Sequence, residues 1–351
     1  MTVSTQTVEP ANIPVVDFNL LSSGTPQERN AALKQLDDAF QTFGFIYLSN
    51  HSIPQEMVAE AFAWSKRFFD LPHHVKQLIA HPGSATDHRG FAEVGLGLVS
   101  QGIWDAEKVE NIRNTAKPEQ KEILEMGNPY TTDDPTANPY PNRLLPEDIF
   151  PGFRGFIEKW WDHCVRQEHQ LMGYLCEILE IKDREFLSKQ QTPGRNCSHM
   201  SWLHYLSMPT SPLRNREARR LNAHTDFGQL TILFQDMVGG LEIHDDEAGI
   251  YRPVLPKAGT VIVHIGDMLE KQSNGRWKSA LHHVTGPRYA IAFYAHPDYE
   301  MLVESLPGCE KKGKWESLEW EDNMTAGDWM NKRVTPEYER QEKPGPVAAS
   351  S

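Results

Sequence analysis

The sequence predicts an α+β protein in which N-terminal helices buttress an antiparallel β sandwich or barrel. Apolar residues recur at helical spacing before Arg195, whereas short apolar runs alternate with turn residues after it. The 351 residues are 39% hydrophobic, with 24 Gly and 24 Pro, as in ordinary globular chains. We expect one functional unit, comprising a helical region with the first strands over residues 1–194, a β core with a C-terminal helix over 195–335, and a flexible tail over 336–351.

Three helices are predicted in the N-terminal part. The first begins at Thr25, where Pro26 suits the first helical position and Glu28 can close a capping box, and it ends at Gly44 before a short buried strand. The second helix covers about 54–69. The third covers about 153–181, and its apolar stripe has a polar gap at Gln167 and Glu168. Residues 73–151 are polar and rich in Pro, Asn and Gly, which predicts loops with short helices.

The C-terminal part predicts short strands. Turn residues such as Gly239-Gly240 and Asn274-Gly275 separate apolar runs of strand length, a pattern typical of an antiparallel sandwich or barrel. The predicted strands are Trp202–Leu206, Leu230–Phe234, Leu241–Ile243, Thr260–Ile265 and Tyr289–Tyr294.

Charge and cysteine content limit the partners and the compartment. The chain has 35 basic and 48 acidic residues, a net charge of −13, which argues against nucleic acid or an anionic membrane as the main partner. No apolar run reaches the roughly 18 residues of a membrane span, and Met1–Pro14 lacks the pattern of a secretory signal. None of the 4 cysteines forms a C-x-x-C pair. We therefore expect a reduced, cytoplasmic protein that acts on a small molecule.

One of three His-x-acid pairs stands out as a candidate metal site. Composition alone gives roughly two such pairs by chance, and those beginning at His244 and His296 lie in turns, which favours a surface position. His224-Thr225-Asp226 instead leads directly into an apolar run. Residues i and i+2 of an extended segment share a face, and burying an imidazole with a carboxylate is costly unless something pairs them. A divalent cation or a plain His–Asp hydrogen bond would satisfy this pair.

A metal site needs a third ligand. Two histidines and one carboxylate on one face leave open coordination positions, the arrangement that suits non-haem Fe(II). The candidates in the β region are His264, His282, His283 and His296. Adjacent strand residues face opposite ways, so His282 and His283 cannot both be ligands, but the residues alone do not choose among the four.

Arg288 and Tyr205 are candidates for holding an anion. Arg288 follows Pro287 at the entry to an apolar strand, where its guanidinium must meet either solvent at a sheet edge or a carboxylate. Tyr205 could give its hydroxyl to the same anion, or be a core tyrosine.

With these residues assembled, the chain resembles the isopenicillin-N-synthase-like branch of the Fe(II)/2-oxoglutarate-dependent oxygenases, especially fungal members such as the thymine hydroxylases and natural-product oxygenases. The resemblance covers most of the chain. It is strongest in the segments His224–Asp236, Val238–Leu241 and Gly266–His282, and it extends to Ile13–Phe18, Gly44–Pro54, Arg67–Pro72 and Arg89–Phe91.

The resemblance implies a double-stranded β-helix, or jelly-roll, core. It assigns Fe(II) to His224, Asp226 and His282, and the far carboxylate of 2-oxoglutarate to Arg288 and Tyr205. The implied enzyme is a dioxygenase that uses O2 to hydroxylate, desaturate or rearrange a small organic substrate, such as a fungal secondary metabolite, and releases succinate and CO2. Three alternatives remain: an iron oxidase of the same fold that does not use 2-oxoglutarate, a nucleobase hydroxylase, and a non-catalytic jelly-roll that binds a ligand or a partner protein.

Four positions depart from the family pattern. The family has Ser where this chain has Ala290, and a lost hydrogen bond to a charged group costs on the order of 1.5–3 kcal/mol unless another donor replaces it. His264 stands at a usual Asn position, His283 at a usual Arg position, and Leu206 where Pro commonly follows the tyrosine.

Overall fold

The computed structural model describes residues 8–82, 88–95, 119–130, 140–207, 220–310 and 323–338. Within these ranges the helices are α1 (Phe18–Ser23), α2 (Pro26–Thr42), α3 (Gln55–Phe69), α4 (His73–Lys76), α5 (Phe153–Ile178), α6 (Asp267–Gln272) and α7 (Ala326–Tyr338). The strands are β1 (Val15–Asp17), β2 (Phe45–Ser49), β3 (Gly90–Ala92), β4 (Lys121–Gly127), β5 (His199–Tyr205), β6 (Leu221–His224), β7 (Leu230–Gln235), β8 (Leu241–Asp245), β9 (Ile250–Pro253), β10 (Thr260–Ile265), β11 (His282–Val284) and β12 (Arg288–Ala295).

Two sheets form the predicted sandwich. The larger has the strand order β1-β2-β10-β7-β12-β5-β4-β3, and the smaller has the order β6-β11-β8-β9. Every pairing is antiparallel except that of β1 with β2. Alternate residues of each strand point to opposite faces, so one face of the larger sheet packs on the helices and the other meets the smaller sheet. The α+β prediction is therefore confirmed.

The first predicted helix begins as its sequence indicates. The Thr25 hydroxyl accepts the backbone N–H of Glu28, and the Glu28 carboxylate accepts the N–H of Thr25, which completes the capping box. The helix stops before Gly44, whose φ of 68° is readily reached by glycine. A side chain there would also collide with the carbonyl oxygen of Lys278. This stop sends the chain directly into β2.

Helix α5 packs its apolar stripe on the larger sheet, and the polar gap in that stripe is buried. The Gln167 side-chain oxygen accepts hydrogen bonds from the backbone N–H and the hydroxyl of Ser52, at 2.6 and 2.9 Å. A side-chain oxygen of Glu168 accepts a hydrogen bond from the Gln191 amide at 2.7 Å. Both side chains thus hold loops against the helix from inside the core.

Replacing Glu168 with Gln is expected to make the protein more stable at neutral pH. Burial raises the pKa of the Glu168 carboxyl to about 8, so the folded state keeps a proton that the unfolded state loses above the ordinary value of 4.5. Stability therefore falls as the pH rises from about 4.5 to 8, by on the order of 5 kcal/mol, and Glu168→Gln removes this slope. Urea unfolding of both proteins at pH 5, 6, 7 and 8 measures it. Glu185→Gln, on a side chain that is 74% exposed, is the control, and parallel pH curves for wild type and Glu168→Gln would contradict the expectation.

The region predicted to be loops with short helices also contains two strands, so that expectation was incomplete. In β4, Ile123 lies between Lys121 and Glu125 on the face turned toward the smaller sheet, while Leu124 and Met126 join the core beneath the helices. Charged residues on an inward face gave this strand a polar sequence.

The C-terminal part contains the predicted helix, and one predicted strand is longer than expected. The helix is α7, and β5 begins at His199 rather than at Trp202. Of the predicted flexible tail, the structure describes only residues 336–338, which end α7; residues 339–351 lie outside the described part. Among the described helices, none is long and apolar enough to cross a membrane.

Candidate metal centre and anion site

The pairing of two short strands brings the predicted ligands together. His224 ends β6, His282 begins β11, and the antiparallel register sets these two residues directly opposite each other. Asp226 lies two residues beyond His224, in the turn before β7. One ligand atom from each of the three residues lies within 4.8 Å of the others. Nε2 of His224 and Nε2 of His282 are 3.6 and 3.7 Å from Oδ1 of Asp226.

Backbone hydrogen bonds orient both imidazole rings. Nδ1 of His224 lies 3.0 Å from the Asn222 carbonyl oxygen, and Nδ1 of His282 lies 3.1 Å from the Ala280 carbonyl oxygen. Because a carbonyl can only accept, each Nδ1 donates a proton and each Nε2 keeps its lone pair. Burial also lowers the pKa of His224 well below its usual value. Both Nε2 lone pairs are thus directed at the point that Asp226 faces, as metal-binding histidines require.

Asp226 is held as a carboxylate. Burial opposes its ionisation, but the imidazoles of His264, His282 and His224 outweigh burial, and the pKa of Asp226 falls to about 2. The Thr231 hydroxyl donates to Oδ2 at 2.5 Å. Oδ1 is left toward the two histidines. Two imidazole nitrogens and one carboxylate oxygen form the donor set that suits Fe(II).

The structure separates His282 from the other candidates for the third ligand. His264 stacks on Phe45 at 4.4 Å, and its Nε2 contacts the far oxygen of Asp226 at 3.4 Å, so it supports the carboxylate from behind. His283 turns away, stacks on Tyr251 and binds Glu242. His296 is buried in the same cavity but does not join the cluster. His282 is the member that faces His224 and Asp226.

The other His-x-acid pairs behave differently. His244 lies inside β8 rather than in the predicted turn, with a side chain that is 25% exposed, and its Nδ1 lies 2.7 Å from Oδ1 of Asp246, which is 61% exposed just after the strand. Asp298 accepts the backbone N–H of Thr192. His296 itself, which the turn interpretation placed near the surface, is only 1% exposed. Pro297 correctly indicated the end of the strand, but it gave no information on whether the His296 ring points into the protein or toward solvent.

Arg288 and Tyr205 form a second polar group in the same cavity. They are paired across β12 and β5, and both are buried. Nη1 of Arg288 donates to the side-chain oxygen of Gln235 at 2.9 Å, and its Nε has no hydrogen-bond partner among the described residues. No described carboxylate forms an ion pair with Arg288. A buried guanidinium without a counter-ion is costly, so this arrangement suits an anionic ligand.

The residue that departs from the family pattern lies beside this group. Ala290 is fully buried and pairs with Leu203 of β5 and Gln235 of β7. As i+2 from Arg288, it faces the same side of the sheet. Its methyl group supplies no hydrogen bond there. Lys121, which lies across Tyr205 from Arg288 in the strand register, also lines the cavity.

One cavity between the sheets joins the metal cluster and the anion site. Residues of both groups line it, so ligands held at the two sites would share one space. Sequence reasoning missed several residues that line it: Lys121, Glu125, His199, Ser201 and Tyr294. In β5, the every-second-residue spacing of His199 and Ser201 with Tyr205 was the available signal. His88 also lines the cavity, whereas Phe91 belongs to the core under the helices.

Comparison with known proteins finds matching family models and similar proteins along most of the chain. A family model described as the 2OG-Fe(II) oxygenase superfamily matches residues 197–297. A model described as the N-terminal region of a non-haem dioxygenase in morphine synthesis matches residues 13–148. The chain is 45% identical to the 2-oxoglutarate-dependent dioxygenase lolO1 of Epichloe uncinata, over 97% of this chain and 98% of that protein. It is 32% identical to the 2-oxoglutarate-dependent dioxygenase frbA of Dothideomycetidae sp., over 88% and 95% of the two chains.

A solved structure of a related protein has the same fold. Neurospora crassa T7H, crystallised with alpha-KG and thymine, superposes with a TM-score of 0.77 at 28% identity, covering 92% of this chain and 96% of T7H.

Proposed function

Because the chain belongs to the 2OG-Fe(II) oxygenase superfamily, we propose that His224, Asp226 and His282 hold its iron and that Arg288 with Tyr205 holds the far carboxylate of 2-oxoglutarate. The chain is a dioxygenase that uses Fe(II), 2-oxoglutarate and O2 to oxidise a small organic molecule, on the double-stranded β-helix core that the sequence predicts. The observation that supports the metal assignment most strongly is the convergence of the three ligand atoms within 4.8 Å.

When they are bound, iron and 2-oxoglutarate supply the oxidising chemistry, in which O2 converts 2-oxoglutarate to succinate and CO2 and the substrate is oxidised. The protein's own contribution is to bind and orient. His224 and His282 offer Nε2 lone pairs because their Nδ1 protons are committed to backbone carbonyls. Asp226 supplies a negatively charged carboxylate. One of its oxygens, Oδ2, already accepts a hydrogen bond from the Thr231 hydroxyl, which leaves Oδ1 for the metal.

The remaining residues of the cavity wall bind the cosubstrate and exclude water. Arg288, kept in place by Gln235, presents a positive charge, and Tyr205 adds a hydroxyl from the paired strand. Leu203, Leu233 and Ala292 line the cavity with apolar surface, which excludes water from the reacting atoms. We propose a secondary metabolite as the substrate, oxidised by hydroxylation, desaturation or ring rearrangement.

The alternatives are not favoured. An iron oxidase that does without 2-oxoglutarate is supported only by Ala290, and the relatives lolO1 and frbA are both named 2-oxoglutarate-dependent. T7H was crystallised with thymine, but identity to T7H is 28% against 45% to lolO1. A non-catalytic binding protein would not need three converging metal ligands.

Succinate release tests the proposed function. We expect release that requires Fe(II), 2-oxoglutarate and O2 together, because even turnover without substrate consumes 2-oxoglutarate. Omission of each component in turn, with succinate measured by mass spectrometry, isolates each requirement. Succinate that forms without added iron in the presence of a chelator would contradict the metal assignment.

Restoring the family residue at Ala290 is expected to tighten 2-oxoglutarate binding. A serine hydroxyl on the same face as Arg288 adds a charge-assisted hydrogen bond, worth about 1.5–3 kcal/mol, so KM for 2-oxoglutarate should fall by about tenfold to a hundredfold. Steady-state kinetics of Ala290→Ser, with Ala292→Ser as the matched control two residues along the same face, measures it. An unchanged or raised KM would mean that another donor, such as Lys121, already replaces the hydroxyl.

We also propose a cytoplasmic location and no nucleic-acid or membrane partner. All 4 cysteines are buried free thiols, and the net charge of −13 opposes binding to phosphate polymers. Fractionation of cells expressing the full chain tests the location, and a sedimenting membrane-bound fraction would contradict it.

A further inference from the structure

The cavity wall changes charge along its length. Three neighbouring strands, β4, β5 and β12, form this wall, and their register aligns every second residue in rows. The row at one end carries Lys121, Tyr205 and Arg288, and the next carries Ile123, Leu203 and Ala290. The third row carries Glu125, Ser201 and Ala292. A positive end and a negative position thus share one face, about 13 Å apart along the strands.

Glu125 has an oxygen with no hydrogen-bond partner. Its side chain is 7% exposed and lines the cavity. Oε1 accepts the Ser201 hydroxyl at 3.3 Å and lies 3.4 Å from Nδ1 of His88. Oε2 accepts no hydrogen bond among the described residues, and the closest imidazole nitrogens lie 3.4 and 3.8 Å from it. A buried carboxylate oxygen left in this way is costly unless a ligand completes it.

The imidazole of His296 is a second buried acceptor in the cavity that accepts no hydrogen bond from the described residues. Nδ1 of His296 lies 3.2 Å from the Tyr294 carbonyl oxygen, so it donates there and Nε2 keeps a lone pair. That Nε2 is buried and has no hydrogen-bond partner among the described residues. Glu125 and His296 therefore offer two unfilled acceptors to whatever occupies this end.

Aromatic rings surround these acceptors, and the imidazoles of His88 and His81 pair with Glu125 as counter-ions only when they are protonated. The ring of His199 stacks against three neighbouring rings. Its centroid lies 4.6 Å from that of Tyr294, 5.2 Å from that of His296 and 5.6 Å from that of His88. Burial lowers the pKa of His199 well below its usual value and that of His296 to about 4, so both rings are neutral at pH 7. The guanidinium of Arg89 is directed at the carbonyl oxygens of His88 and Tyr140.

We propose that the substrate of this enzyme is an organic amine, bound through its protonated nitrogen to Glu125 at the end of the cavity opposite Arg288. The proposal rests on the proposed function, because it identifies this end as the substrate end only if Arg288 binds 2-oxoglutarate. An ammonium group donates up to three hydrogen bonds, which suits the open acceptors of Glu125 and His296. The neighbouring ring faces add cation–π attraction. An anionic substrate would meet repulsion at the same position.

The test uses a simple probe, because the natural substrate is unidentified. Full-length protein, metal-free and separately loaded with Fe(II) and 2-oxoglutarate without O2, is titrated calorimetrically with cyclohexylammonium and with the neutral analogue cyclohexanol. We expect wild type to bind the ammonium at least about tenfold more tightly than the alcohol, since a charge-assisted hydrogen bond is worth about 1.5–3 kcal/mol. Glu125→Gln keeps the shape and the Ser201 contact but should lose that preference.

Two further variants make the result decisive. Glu125→Asp keeps the charge and should retain part of the preference, which separates charge from folding. Glu242→Gln, which removes a carboxylate paired with His283 on the smaller sheet, should change nothing. Equal binding of the two probes by wild type, or an undiminished ammonium preference in folded Glu125→Gln, would overturn the proposal. The visible band of the iron–2-oxoglutarate complex, recorded in the loaded samples, reports separately on the proposed function.

Discussion

Replacing His224 with alanine is expected to reduce succinate release by at least about a thousandfold while leaving the fold intact. Metal ions contribute several kcal/mol of transition-state stabilisation, and each 1.4 kcal/mol corresponds to tenfold in rate. His224 lies at the end of β6 and is partly exposed to the cavity, so its loss removes a ligand without opening the core. The measurement is iron-dependent succinate release, with circular dichroism and thermal unfolding as checks of folding.

The chain offers a matched control for this variant. His244 and Asp246 form the same His-x-Asp pattern at the end of β8, outside the cavity, with 2.7 Å between Nδ1 and Oδ1. His244→Ala removes an identical side chain outside the cavity, and we expect it to retain wild-type iron binding and turnover. Retention of one iron per chain and full turnover in His224→Ala would remove this residue from the metal centre.

Replacing Arg288 with glutamine is expected to weaken 2-oxoglutarate binding by roughly 30-fold or more. Truncating one partner of a buried charge pair costs about 2–5 kcal/mol, which is roughly 30-fold to several thousandfold in affinity. Iron binding should be unchanged, because Arg288 lies on β12 of the larger sheet whereas His224 and His282 lie on the smaller. KM for 2-oxoglutarate and the Fe(II) dissociation constant are measured on the same preparations.

Two variants distinguish a specific anion site from a general loss of charge. Arg288→Lys keeps the charge but not the two parallel N–H groups, so it should recover only part of the affinity. Arg252→Gln removes an arginine that pairs with Asp245 on the smaller sheet and should have no effect. Unchanged 2-oxoglutarate affinity in Arg288→Gln would direct attention to Lys121 as the principal cation.

The sequence predicted what depends on local chemistry. The capping box at Thr25 and Glu28 forms because its partners are three residues apart, and the helix stop at Gly44 follows from backbone freedom. His224 and Asp226 share a face because they are two residues apart on an extended segment. These interactions need no knowledge of distant chain segments, so the residues themselves are sufficient.

The sequence did not predict what depends on register between distant strands. Choosing His282 over His264 or His296 required the pairing of β11 with β6, and before the structure only the family resemblance supplied that choice. Strand β4 was missed because the residues that it turns toward the cavity include Lys121 and Glu125, and a strand with charges on its inner face loses the usual alternation of apolar and polar residues. The residues that hide an element from sequence analysis are here the ones that line the site.

The most direct test of the metal and cosubstrate sites is an anaerobic titration of the full-length protein with Fe(II) and then 2-oxoglutarate, followed by visible absorption. We expect a charge-transfer band that saturates at one iron and one 2-oxoglutarate per chain in wild type, is absent from Asp226→Ala, and needs far more 2-oxoglutarate in Arg288→Gln. A band of wild-type intensity and stoichiometry in Asp226→Ala would show that the iron is held elsewhere.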